Sequence, residues 1–174
     1  MSFASEKAES NFKEIFGGQP EIVVQAPGRV NLLGEHTDYN EGFVFPMAIN
    51  RWVAFALRRT TGYTAMIRSV EYGEEVKFET NQALKPSGTW IDYPKGMVKE
   101  FQALGLSVGG FEGVLAGDVP VEAGLSSSAA VEMAVGKGIL ELNHFSMSGT
   151  ELAHLSQRAE NQFVGVSCGI MDQF

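Results

Sequence analysis

The sequence predicts an α+β fold: a mixed or antiparallel sheet packed with helices. Three observations predict it. The chain opens on a short amphipathic helical pattern, continues through strand-like segments rich in aromatic and β-branched residues up to residue 79, and then returns to apolar residues at helical spacing. Tight turn signals between the strand-like segments read as hairpins, so this first half is expected to form one antiparallel sheet.

Residues 5–16 predict the opening helix, with Phe12, Ile15 and Phe16 on one side and Glu and Lys on the other. "EIVVQAP" is a strand ended by Pro27, and "GFVFPMAI" and "RWVAFALRR" are two apolar runs. "YTAMIRSV" and "EEVKFET" alternate as half-exposed strands do. Helical spacing resumes from Trp90 to Gly105, and "FEGVLAGDVP" is a strand closed by Pro120. Two helices complete the reading, one over 126–142 and one over 149–163 that opens on Thr150 and Glu151. The sequence shows no internal repeat, low-complexity linker or block of like charge.

Bulk properties narrow the function. With 174 residues, 44% hydrophobic, the chain is long enough to bury a core as one domain. A net charge of −8 and a pI near 4.9 argue against nucleic-acid binding and against docking on an anionic membrane. Any anionic ligand must therefore be held by local donors. The N-terminus lacks an apolar signal core, and no stretch approaches the roughly 18 apolar residues of a membrane span, so a cytoplasmic protein is expected. The single cysteine, Cys168, agrees with a reducing compartment and reads as a small apolar residue rather than a nucleophile. His144 and His154 form no ligand spacing, and Lys137, Arg58, Arg59 and Arg68 read as solvated charges. The chain stops on the apolar and acidic "CGIMDQF", which is expected of a fragment.

Three stretches concentrate chemistry. In "GRVNLLGEHTDYNEG" Glu35, His36 and Asp38 stand almost side by side with Arg29 shortly before them, and three polar groups within four positions cannot all face one core. They call for a wet or liganded cleft. In "GDVPVEAGLSSSAAVEMAVGKGIL" a strand and a glycine turn lead into serines at a helix start, where backbone donors and the helix dipole bind phosphate. The local pattern reads equally as a core helix simply capped by Ser126. It is not a Walker A loop, since Gly138 follows Lys137 and the upstream glycine is missing. In "GIMDQF" Asp172 sits among apolar neighbours, so its carboxylate needs a cationic partner to stay ionised.

These stretches together resemble the galactokinases of the GHMP small-molecule kinase superfamily, over about residues 21–174. "GEHTDYN" marks galactokinases, whereas the serine-rich loop alone marks only the superfamily. The resemblance implies a ribosomal protein S5 domain 2-like N-terminal GHMP kinase domain spanning 1–174. It implies transfer of the ATP γ-phosphoryl to the C1 hydroxyl of α-D-galactose, giving galactose 1-phosphate and ADP. Asp172 corresponds to the carboxylate that takes or orients the C1 hydroxyl proton, and Arg29 to the cation beside it. Glu35, His36, Asp38 and Gly169, together with Asp172, correspond to the sugar contacts. Gly124, Leu125, Ser126, Ser127, Ser128, Ala129 and Ala130 form the phosphate loop, and Ser128 with Glu160 corresponds to the magnesium site. ATP and Mg2+ are thus the implied cofactors.

Two departures matter. Glu122 replaces a glycine of the family's phosphate loop, which narrows φ and sets a carboxylate near the triphosphate, lowering the expected nucleotide affinity. The family's third, glycine-rich motif and C-terminal domain are absent. The fragment alone is therefore expected to have little or no kinase activity and to self-associate through exposed apolar surface. The alternatives are a GHMP kinase for N-acetylgalactosamine or arabinose, and a galactose and ATP sensor without catalysis. The complete run Ser126 to Ala130 favours an enzyme over the sensor.

Overall fold

Residue patterning produces two helical layers around one sheet. A computed structural model describes residues 2–34, 37–40, 42–121 and 123–174, with Tyr39 described by its backbone. Glu35, His36 and Glu122 lie outside the described residues. Helix α1 covers Phe3–Phe16, followed by strands β1 (Ile22–Asn31), β2 (Pro46–Arg59), β3 (Thr64–Ser69) and β4 (Glu74–Glu79). Helix α2 (Asp92–Ala103), strand β5 (Phe111–Gly117) and helices α3 (Ser127–Asn143) and α4 (Gly149–Arg158) complete the described order.

The sheet order is β1-β2-β5-β3-β4. Alternation along β2 sends Phe55 and Leu57 to a core shared with α2, α3 and α4, while Ala54 and Ala56 face α1. β5 repeats the division, with Phe111 and Leu115 on the first face and Val114 and Ala116 on the second. The small residues of the second face let α1 lie close, with Phe12 fully buried between them. Each such buried aromatic contributes about 1.5–3 kcal/mol through the area removed from water.

Several expectations change. The sheet is mixed, because β3 pairs with β5 in parallel while the other pairings are antiparallel. The crossover through β4 and α2 supplies the long connection that parallel neighbours require. The two apolar runs after residue 42 yield one 14-residue strand starting at Pro46. Helix α4 starts where expected but is capped by Ser148, whose hydroxyl accepts from the Glu151 amide in a capping box. Arg58 is not a solvated charge, whereas Arg59 is exposed but tethered. Arg58 bonds Glu112 at 2.9 Å and lies 5.2 Å over the Phe12 ring, and Arg59 donates to the Leu142 carbonyl. Lys137 does stay exposed, paired with Glu141.

Candidate active site

β1 is an edge strand, where Pro27 leaves no ladder donor missing. Its register with β2 shifts between Pro27 and Arg29, a bulge of the kind that re-aims a side chain. A Cβ on Gly28 would press on the Leu125 carbonyl and Val119, so the strand packs directly on the serine loop. The Arg29 amide then donates to Leu125 O at 3.1 Å. Its guanidinium reaches Gly124 O through Nη1 at 2.7 Å, and Nε and Nη2 converge on Oδ1 of Asp172, Nε at 3.0 Å. Asp172 has the cationic partner its apolar surroundings call for. Among the described residues Oδ2 of Asp172 accepts no hydrogen bond, which leaves it free to take one from a ligand.

The serine loop resolves the choice that the local pattern left open. Ser126 is the residue before α3, yet it adopts a left-handed conformation (φ 55°, ψ 47°) and makes no side-chain cap. Its hydroxyl is buried without a partner. The first amides of α3 therefore keep their donors unclaimed by a cap, while Ala129 and Ala130 are buried behind them. The helix is both a core helix and an open donor terminus.

Glu160 stands opposite that terminus. The chain widens from α4 into a π-helical turn at Ala159–Val164, and Glu160 within it is 3% exposed. Ser128 Oγ donates to Glu160 Oε1 at 3.0 Å, and Gln173 Nε2 and Cys168 Sγ donate to Oε2 at 2.8 and 3.3 Å. Burial raises the Glu160 carboxyl above the usual range, against the lowering effect of Cys168 and Ser128. Burial, then the Glu160 charge, pushes the Cys168 thiol up to about 12. A thiol held protonated is no nucleophile, as the sequence suggested.

Asp38 and Gly169 meet on the other side. Asp38, at the start of a 3₁₀ turn at Asp38–Asn40, accepts from the amides of Ile170 and Met171 at 3.3 and 3.2 Å. A Cβ on Gly169 would overlap the Asp38 carboxylate. The missing side chain thus admits Asp38 itself, and the contact ties this turn to the segment bearing Asp172.

A cavity of about 390 Å³ joins Arg29, Ser126, Ser127, Ser128 and Asp172 to Tyr72, Trp90 and Tyr93. The Tyr72 and Trp90 rings stack, with centroids 5.8 Å apart and planes at 10°. Sequence reading missed this aromatic wall, taking Trp90 only as a helix start. An indole and a phenol beside turns, each with its face uncommitted to a sequence-evident core, were the available signal. A second cavity of about 360 Å³ lies beyond the Arg29–Asp172 pair, lined by Pro46, Ala48, Met133 and Lys137 among others. Among the described residues no group of three or more His, Cys, Asp or Glu side chains could hold a metal alone.

Comparison with known proteins agrees with this arrangement. The GHMP kinases N-terminal domain matches residues 92–174, and the galactokinase galactose-binding signature matches residues 10–59. The fold and the loop are thus similar to those of GHMP-type kinase domains. Within that class the chain matches the N-terminal part of galactokinases. It is 46% identical over 162 residues to a galactokinase of Roseiflexus sp. and 44% identical over 163 residues to one of Chloroflexus aurantiacus. Each alignment takes in 93% of the chain, which spans 41% and 42% of those relatives' lengths. The crystal structure of Lactococcus lactis galactokinase complexed with galactose superposes with a TM-score of 0.85 at 35% identity, covering 95% of this chain and 44% of that one. A mevalonate kinase structure, 19% identical with a TM-score of 0.77 over 88% of this chain and 50% of its own, shares the fold.

Proposed function

We propose that these 174 residues form the N-terminal domain of a cytoplasmic sugar kinase that transfers the ATP γ-phosphoryl to the C1 hydroxyl of α-D-galactose, giving galactose 1-phosphate and ADP. The observation that supports it best is the Arg29 guanidinium, shared between Asp172 and the carbonyl of Gly124 in the serine loop. One cation thereby links a carboxylate to the place where phosphate donors converge.

In this reading Oδ2 of Asp172 takes or orients the C1 hydroxyl proton, while Arg29 pairs with that carboxylate and faces the charge on the transferring group. Phosphoryl transfer depends mainly on such positioning and charge stabilisation. The open amides from Ser127 to Ala129, with Gly124, Leu125 and Ser126, hold phosphate oxygens, and the Tyr72 and Trp90 rings offer a surface for the nucleoside. Glu35, His36, Asp38 and Gly169 are assigned to the sugar, whose misplaced hydroxyls would be rejected by leaving polar groups unpaired. The Ser128 and Glu160 oxygens fit magnesium, a hard cation that takes few protein ligands and keeps waters and phosphate oxygens. When bound, the metal neutralises triphosphate charge.

Full-length protein assayed with ATP across a sugar panel tests the proposal. Galactose is expected to give the highest kcat/KM, and the 174 residues alone little or no turnover. Faster phosphorylation of N-acetylgalactosamine or arabinose would reassign the substrate. Sugar and ATP binding without turnover would make the protein a sensor.

A further inference from the structure

Behind the Ser128–Glu160 pair lies a carboxyl group that the proposed reaction does not use. Glu132 is one helical turn beyond Ser128 on the same face of α3 and is completely buried. Its Oε2 accepts from Ser156 Oγ of α4 at 2.7 Å, and its Oε1 has no partner. No ion pair among the described residues includes it, and the titratable groups that act on it are Glu160 and Asp172, both acidic. Gln173, 4% exposed, stands between the two buried carboxyls. Its amide donates to Glu160 Oε2 at 2.8 Å and also interacts with Glu132, while its own Oε1 is unpartnered.

Two buried acceptors without a donor are costly, and a proton on Glu132 supplies the missing donor. Burial and the nearby Glu160 charge favour that neutral form. A neutral acid can anchor Ser156 and Gln173 at once without adding negative charge beside Glu160. We propose that Glu132 is a positioning residue, which through Gln173 fixes the Glu160 carboxylate toward Ser128 and so shapes the metal-nucleotide side of the site. The orienting role stands on the burial of Glu132, Glu160 and Gln173 and on the Ser156–Glu132 and Gln173–Glu160 hydrogen bonds, and only its consequence for nucleotide rests on the kinase reading.

Cys168 provides a reporter independent of that reading, because its thiol donates to the same Glu160 oxygen as Gln173. The test uses full-length protein, in which the alkylation rate of Cys168 is followed by mass spectrometry of its peptide and ATP affinity is titrated with and without magnesium. Glu132→Leu is expected to speed alkylation and to weaken magnesium-dependent ATP binding, each roughly tenfold, the scale typical of groups that orient metal ligands. Metal-free ATP binding is expected to change less than about twofold. Glu132→Gln, which keeps size and a donor without charge, is expected to behave as wild type in all three readouts. Gln173→Met, which removes the link itself, is expected to match Glu132→Leu and carries the test if the leucine variant does not fold. A Glu132→Gln protein as defective as Glu132→Leu, or unchanged alkylation in both Glu132→Leu and Gln173→Met, overturns the proposal. Altered alkylation in a protein whose wild type binds no magnesium-ATP supports the orienting role and overturns the kinase reading instead.

Discussion

The phosphate-side wall of the site and the segment around residues 32–47 are built in opposite ways. Around Glu160 every described polar contact is made inside the domain: Ser128, Gln173 and Cys168 hold one carboxylate, and Arg29 locks Asp172 to the serine loop. Along 32–47 Leu33, Phe43 and Phe45 are 72, 99 and 64% exposed, and Thr37 is tied mainly to the carbonyls of Gly34 and Phe43 in the same segment. The contacts of Arg29, Asp172 and Glu160 are thus satisfied within these residues, whereas Leu33, Phe43 and Phe45 present apolar surface that the described residues leave open. An exposed patch of that kind marks an interaction face.

The comparison can be broken first at its most rigid point. Asp172→Asn in the full-length protein is expected to lower kcat by about 10²–10⁴, the contribution of a positioned proton acceptor, with circular dichroism unchanged. A loss below tenfold would remove Asp172 from the proton path. Cys168 tests how closed the same wall is. With its thiol pushed up to about 12 from 9.0, the thiolate at pH 8 is about a thousandfold scarcer than for an unperturbed cysteine, so alkylation is expected to be correspondingly slow and to keep rising about tenfold per pH unit without levelling off below about pH 12. Fast alkylation at pH 8 would show the wall to be open. Glu160→Gln is expected to raise the Kd of magnesium-ATP roughly tenfold or more, with metal-free ATP much less affected, by calorimetric titration. The smallest effect belongs to the open face. Phe43→Ser is expected to change unfolding free energy by less than about 0.5 kcal/mol, because the ring is already in water, yet to reduce self-association in sedimentation.

Linkage sharpens the contrast further. Because burial raises the Glu132 carboxyl well above 4.5 in the folded chain, its contribution is complete below the unfolded value and is lost as pH rises through the folded one. Stability against denaturant is therefore expected to fall more steeply with rising pH above about 4.5 in wild type than in Glu132→Gln. Equal slopes would mean that Glu132 ionises as freely folded as unfolded.

Much of this was legible in the sequence. Apolar periodicity located the helices and the middles of the strands, although β1 runs to Asn31 past the Pro27 expected to end it, and the motifs around Arg29, Ser126 and Asp172 named groups that the fold brings together. The parallel pairing of β3 with β5 was not legible, since alternation within a strand reports which face is buried and not which neighbour it has. Arg58 and Arg59 read as solvated because the carbonyls and Glu112 that receive them lie tens of residues away. The absent side chain of Gly169 gives room to Asp38, a contact across 131 positions that no local pattern encodes. The sequence reading gave Glu132 no role. Only the packing of α4 and Gln173 around it reveals a buried acid.

The π-helical turn at Ala159–Val164 carries a consequence for how such a site can arise. A turn of this kind amounts to one residue too many in an otherwise regular helix, and each residue of an α-helix advances about 100° around its axis. Deleting a single codon between 159 and 164 would restore regular winding and swing whatever follows by that angle, away from the carboxylate's present companions. Insertion of one residue is thus enough, in genetic terms, to convert a plain surface helix into a helix that turns an acid inward.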